Sequence, residues 1–414
     1  MEQQFYVGID LDDENAIISF FQQNMKEPET VSTVAGSEVF QIPLWLTKKK
    51  GIGQWFIGEE ARRLASEQGE PGADRYQGTE RFLSKAIKGE RIFVEGEEYP
   101  ASDLLALYLR KLMLLAGSLG KPAVPDRLVI TLDQLSREST SLFSELAPKL
   151  GLEPEQIMLI DRKESFYYFA CHQTEELMLH DVYLFDYRGE EISCCRLERN
   201  LRTKPQLITM TEEMRHMDGE HADEAFLKIL TECFRGHVVS AAYLIGDGFE
   251  GGWMKQSVSF LCRGRRAFIG KNLYSKGACY AAAVRAHPET WPYVYMGDNE
   301  MKVNVCLKVL RRGEQEFFTL IRAGDNWYEA AGECEVILAG TPEISFWLQL
   351  PNSREAKIEK LTLADLPERP DRATRLRIYA KPQSDHEVWV QIRDLGFGEL
   401  FCSSDKTWTY VLSL

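Results

Sequence analysis

Carboxylates crowd the turn that follows the first apolar run of the chain. Phe5, Tyr6, Val7 and Ile9 read as a short buried strand, and Asp10 ends it. Asp12, Asp13, Glu14 and Asn15 are turn formers, and Ala16, Ile17, Ile18, Phe20 and Phe21 make a second apolar run. Such a turn is hostile to phosphate, since like charges a few ångströms apart in a half-buried site repel by several kcal/mol. Gly246-Asp247-Gly248, with Gly251-Gly252 behind it, follows the apolar run Ala241 to Ile245. Glycine-rich turns after strands can bound a nucleotide pocket. His216-Met-Asp-Gly-Glu-His221-Ala-Asp-Glu is the densest set of metal-ligand residue types. Its spacing matches no structural zinc site, so it reads as a solvated acidic loop before a helix, and no metal is assigned. Cys262-Arg263-Gly264-Arg265-Arg266 is a local basic patch. It reads as a solvated loop that offsets nearby acids, with an acidic partner or a phosphate as the alternative. No Ser/His/Asp or Cys/His set has a defensible spacing, so no catalytic residue is assigned.

The elements that must position these residues alternate between strand and helix. After the opening hairpin, Phe40 to Leu46 reads as a strand, Trp55 to Ala61 enters a helix, and residues 66–79 read as a loop. Arg91 to Tyr99 reads as a hairpin turning at Gly96. Leu104, Leu105, Leu107, Tyr108, Leu112 and Leu115 recur at helical spacing behind a cap at Ala101 or Ser102. Strands follow at Leu128–Thr131, Ile157–Ile160, Val182–Asp186, Ile192–Leu197 and Ala241–Ile245. Helices fall at Ser136–Leu150, Glu164–Gln173, Ala222–Phe234 and Ser275–Arg285. This alternation predicts an α/β domain with a largely parallel sheet. His287-Pro288 and Trp291-Pro292 break the last helix, and eight short alternating runs fill Val303 to Leu414, which predicts a β-sandwich.

Bulk properties narrow the function. The chain has 414 residues, 44% apolar and 27% charged, enough for two to three domains with sizeable cores. Its net charge of −14 argues against nucleic acid or an anionic membrane as the main partner. Nine scattered cysteines form no CxxC pair and predict reduced thiols in a cytoplasmic protein. The start MEQQF lacks a basic, then apolar, secretory pattern, and no run is long and apolar enough to span a bilayer.

The order of these pieces resembles the actin-like ATPase superfamily, and within it the DnaK-type (seventy-kilodalton heat-shock) chaperones. Val7-Gly-Ile-Asp-Leu is similar to the family's first phosphate loop. Ile57-Gly-Glu-Glu-Ala is similar to its hydrophobic-Gly-acidic-Ala step, and Leu184-Phe-Asp-Tyr-Arg-Gly to its second phosphate loop. Leu244-Ile-Gly-Asp-Gly resembles its adenosine loop, and Lys276-Gly-Ala-Cys-Tyr-Ala-Ala-Ala its final connecting helix. Glu164-Ser165 stands where the family has Glu-Pro, and Val388-Trp-Val-Gln-Ile resembles the β-type substrate-binding domain. The resemblance implies an actin-like/heat-shock-type ATPase fold with two ribonuclease-H-like lobes over 1–290, divided near 180, the second lobe shortened. An all-β sandwich over 295–414 would follow, with no helical lid behind it.

If nucleotide is retained, the resemblance places it, as ATP or ADP with Mg²⁺, against Asp10, Asp12, Glu164, Asp186, Gly189, Gly246 and Gly248. The departures weigh the other way. The family's Gly-Thr-Thr is Asp12-Asp13-Glu14 here, and its Gly-Gly-Gly-Thr is Tyr187-Arg188-Gly189-Glu190-Glu191. Glycine allows close backbone approach to phosphate, which Asp and Glu oppose. Arg188 is expected to pair with Glu14 or Asp12 and fill the phosphate site. The expected function is a chaperone-like, non-hydrolysing scaffold that binds a protein or peptide partner, such as a related chaperone, and neither nucleic acid nor membrane. The alternative is a divergent ATPase coupling Mg·ATP hydrolysis to the sandwich. A third reading, a polymerising actin-like protein, fits the trailing sandwich and shortened lobe less well.

Overall fold

The computed structural model describes residues 4–22, 24–33, 38–49, 53–68, 81–94, 96–117, 124–351 and 356–414. Two compact units divide the chain: 1–199 with 210–292, and 200–209 with 293–414. The loop expected over 66–79 lies outside the described residues, apart from the end of the Gly58–Gln68 helix.

The first unit holds two sheets built on one plan. In one, β1 (Phe5–Leu11) and β2 (Asn15–Gln22) form an antiparallel hairpin, and β2 continues to β3 (Glu29–Thr30). On its other side β1 pairs in parallel with β4 (Arg127–Leu132), which pairs in parallel with β5 (Ile157–Asp161). In the other sheet the hairpin is β6 (Asp181–Arg188) with β7 (Glu191–Asn200). Next to β7 lies β8 (Gln206–His216), whose residues from Met210 onward belong to this unit. β6 pairs in parallel with β9 (Val239–Ile245), and β9 with β10 (Arg266–Ile269). In both sheets a hairpin is extended on one side by two parallel strands. Every residue of β1 is buried, so its near-continuous apolar run reflects cover on both faces rather than alternation.

Helices pack around these sheets. α1 (Ala101–Gly117) buries Leu104, Leu105, Tyr108, Leu109 and Leu112, which share one core with Val7, Ile9 and Ile18 of β1 and β2. α2 (Arg137–Leu150) starts at Ser136, whose hydroxyl accepts from Ser139 N at 3.1 Å. It stops at Gly151, where φ is 77°. α3 (Arg162–Cys171) starts at Asp161, whose carboxylate accepts from Glu164 N at 2.7 Å. In the second half of the unit α4 (Ala222–Cys233) buries Phe226, Ile229 and Leu230. A fifth helix, α5 (Leu273–Ala286), packs closely on β1, β2 and β4 and against α3. A Cβ on Gly8 of β1 would lie 2.3 Å from Ser275 O, and one on Gly277 would lie 2.1 Å from Ser165 O of α3. The glycines at 8 and 277 are therefore fixed by close approach of backbones.

The second unit begins with a strand the sequence reading does not contain. Gln206 to Ile208 of β8 pair in parallel with β11 (Tyr293–Tyr295), which draws residues 200–209 out of the expected 1–290 segment. Each of the eight alternating runs then forms a strand. β12 (Asn304–Arg311), β13 (Glu314–Ile321), β15 (Glu343–Gln349) and β16 (Ala356–Thr362) make one antiparallel sheet, ordered β13-β12-β15-β16. β14 (Gly332–Ile337), β17 (Arg375–Pro382), β18 (Glu387–Gly396) and β19 (Thr407–Ser413) make another, in chain order. Val305, Leu307, Phe346 and Leu348 of one sheet and Leu376, Ile378, Val390 and Ile392 of the other share one core. At its margin Asp394 is fully buried and accepts from Arg369 Nη1 and Nη2 at 2.8 and 2.7 Å, from Gly396 N and from Ser404 N. Those bonds hold the Asp394 carboxyl far below the usual carboxylate range, although burial alone would raise it.

Candidate functional site

Three chain segments meet at the ends of β1, β6 and α3. Asp10 lies near the end of β1, Asp186 near the end of β6, and Arg162 opens α3. Arg162 reaches Asp10 Oδ1 with Nε at 3.4 Å, Asp12 Oδ2 with Nη2 at 3.2 Å and Asp133 Oδ1 with Nη1 at 3.2 Å. Its guanidinium carbon lies 5.4 Å from the centre of the Tyr274 ring. Arg188 pairs with Asp186 through Nε at 2.9 Å and approaches Asp12 Oδ2 at 3.8 Å. Tyr274 donates its hydroxyl to Asp186 Oδ2 at 3.1 Å. Asp12 thus stands between two arginines, and four carboxylates face two guanidinium groups.

Electrostatics follow from burial and these pairs. The side chains of Arg162, Asp10 and Asp186 are 12%, 10% and 13% exposed. Burial pushes the Asp10 carboxyl up, against the pull of Arg162 and Arg188. Burial also works against the Arg162 guanidinium, but Asp10, Tyr274, Asp133 and Asp12 outweigh it and leave its pKa raised. The Tyr274 phenol is pushed well up by burial and by the Asp186 charge.

The loop amides are already engaged. Asp12 Oδ1 accepts from Glu14 N at 2.9 Å and Asn15 N at 2.8 Å, so the turn closes on its own side chain. Asp13 accepts from Ser84 N at 2.9 Å and from the Ser84 hydroxyl, and so caps the Phe82–Ile87 helix. The glycines after β9 are also accounted for by the protein itself. A Cβ on Gly248 would lie 2.3 Å from the Tyr187 ring, and one on Gly246, where φ is 98°, would lie 2.2 Å from Tyr187 O. The Tyr187 ring is buried edge-on against Phe249 and Trp253, at 5.6 and 6.3 Å between centroids.

Of the residues singled out in the sequence, the fold brings Asp10, Asp12 and Asp186 into one network and sets Gly246 beside it. Gly189 lies at the tip of the β6–β7 hairpin with φ 59°. Glu164 is buried in the first turn of α3, two residues past Arg162. The expected partner of Arg188 is Asp12, with Asp186 the nearer one. Arg162, Asp133 and Tyr274 escape the sequence reading. Their one signal is a lone arginine at a strand end, in a chain whose neighbouring loops are acidic. His216 and His221 are both exposed. Among the described residues, the metal-ligand types that converge are instead Asp181, Glu198 and His237. Arg196 sits among them, 3.6 Å from Asp181 and paired to Glu198, so a cation already occupies that cluster.

Fold and site together define a mixed α/β protein with a half-buried ion-pair network in its first unit. Residues 27–298 match a family described as "Family of unknown function (DUF5716) C-terminal", and the chain belongs to that family. Residues 300–414 match a "Domain of unknown function (DUF8552)". No curated protein matches the chain.

Proposed function

We propose that the first unit is a degenerate actin-like, heat-shock-type nucleotide fold that no longer turns over ATP. In this reading the protein is a chaperone-like scaffold, and the unit built around residues 304–414 is a β-sandwich that binds a protein or peptide partner. The observation that carries the reading is the Arg162–Asp12–Arg188 network in the cleft. Where a phosphate-binding fold offers free amides, Asp12 consumes them, and where a triphosphate would sit, the protein supplies its own ion pairs. Four carboxylates against two guanidinium groups leave a net negative cleft that opposes a polyanion. Tyr187 fills the space against Gly248 that an adenosine loop would keep open. These residues do not fit Mg-bound triphosphate. The repeated plan of hairpin plus two parallel strands supports the two-lobed fold. The alternative, a divergent ATPase, is favoured by one feature: Asp10 and Asp186 still lie near strand ends and are linked through Arg162, Asp12 and Arg188.

Calorimetric titration with ATP and Mg²⁺, repeated with ADP and followed by thermal melting, tests the proposal. We expect no heat and no shift in melting temperature at millimolar nucleotide. A Kd of about 10 μM would instead stabilise the protein by about 2.7 kcal/mol at about 1 mM ligand, and would overturn the reading.

A further inference from the structure

The arginines at 263, 265 and 266 lack, among the described residues, the acids that a charge-balancing loop would need. Among the described residues, no carboxylate lies within 4.0 Å of any of them, in a chain whose net charge is −14. Arg265 instead lays its guanidinium over the rings of Phe234 and Phe260, at 4.5 and 5.2 Å. Its Nη1 is buried without a hydrogen-bond partner among the described residues. Burial lowers its pKa, with no counter-charge to restore it. The next residues form β10, which pairs with β9 on one side. Among the described residues no strand pairs with its other side. Phe268 and Ile269 on that strand are 40% and 62% exposed. An edge strand leaves alternate N–H and C=O groups open to a further strand.

We propose that β10 and its arginines form a docking edge for an acidic extended segment of a partner protein. The segment adds as a strand beside β10, sets carboxylates against Arg263, Arg265 and Arg266, and lays an apolar side chain on Phe268 or Ile269. A nucleic acid would use the arginines but leave the strand edge and both apolar side chains idle, so the combination fits a polypeptide. This inference rests on the protein-binding half of the proposed function and is independent of whether the cleft holds nucleotide.

The test is fluorescence anisotropy on the full chain with labelled peptides of about ten residues, long enough for one strand. The probes are an alternating Glu/Val peptide, its Lys/Val counterpart and oligo-dT. The Glu/Val peptide is expected to bind, more weakly as salt rises from roughly 0.05 to 0.3 M. The double variant Arg263→Glu/Arg266→Glu should weaken it at least about tenfold without moving the melting temperature. Ile269→Ser, which leaves every charge in place, should weaken it as well. The inference is overturned if neither peptide binds, if both bind alike, or if oligo-dT binds as tightly and ignores Ile269→Ser. Peptide binding that survives the double charge reversal removes this edge but leaves the protein-binding proposal standing, while the nucleotide titration reports on the cleft alone.

Discussion

Arg162 holds three carboxylates on one guanidinium that is 12% exposed; Asp10 is buried beside it, whereas Asp12 and Asp133 are 33% and 69% exposed, so its removal strands one buried charge, not three. Breaking one side of a buried ionic cluster costs about 3–5 kcal/mol. Because two of the three partners are open to water, we expect Arg162→Met to lose less than that, about 1–3 kcal/mol, measured by urea unfolding at neutral pH. Asp10 should behave differently. Burial holds its folded pKa above the unfolded value of about 3.9, so the stabilisation it gives is complete below that value and is lost as pH rises through the folded pKa. Asp10→Asn should therefore cost little at neutral pH and flatten the pH dependence of stability above about pH 4. Should Asp10→Asn prove as damaging as Arg162→Met, the carboxylate rather than the arginine would be the centre of the network.

At the scale of elements, two close approaches and one pin carry the architecture. β1 and α5 meet at Gly8, where an added methyl would sit 2.6 Å from Cys279 N and 2.8 Å from Ala278 Cβ. Neither neighbour is a flexible side-chain end, so Gly8→Ala must push the helix off the sheet. Overpacking of this kind costs about 1–3 kcal/mol or more, and circular dichroism melts should show it, with Gly277→Ala behaving alike. In the second unit Asp394 joins the 369 and 404 segments to β18 through Arg369 and Ser404. Its folded pKa is depressed, so the stability it contributes is present above about pH 4 and lost as pH falls toward the folded value. We expect Asp394→Asn to cost about 3–5 kcal/mol at neutral pH, because Arg369 is then buried without its counter-ion. The variant should also lose part of the acid-induced destabilisation between about pH 4 and pH 2 that the native chain shows. An unchanged acid limb would mean that other carboxylates set it.

For the whole molecule, the division into units gives a prediction about autonomy. Both four-stranded sheets lie within residues 304–413 and their shared core within 301–414, whereas β11 depends on Gln206–Ile208 for its pairing. A fragment of residues 300–414 is therefore expected to melt cooperatively, with dispersed amide resonances. Starting the fragment at 293 should add no stability, since β11 lacks its neighbour there. A fragment that stays unfolded would show that the two sheets need the segment at 200–209. No helix among the described residues is long and apolar enough to cross a membrane.

Much of the fold was legible because strands and helices write their period into adjacent residues. The two apolar runs around Asp12 form the first hairpin, the eight alternating runs after 303 form eight strands, and Ser136 and Gly151 bound their helix. Strand β8 was not legible. Seven of its eleven residues from Gln206 to His216 are polar, and pairing with β7 and β11 makes it a strand. The site was half legible: the sequence placed carboxylates in both loops and predicted an arginine between them. It could not supply Arg162, which lies 152 residues from Asp10, nor show that the Tyr187 ring packs on Gly248. Local propensity fixes elements from neighbours in the chain. The partner of a buried charge and the neighbour of a bare glycine are set by residues far apart in sequence, so only the tertiary structure decides them.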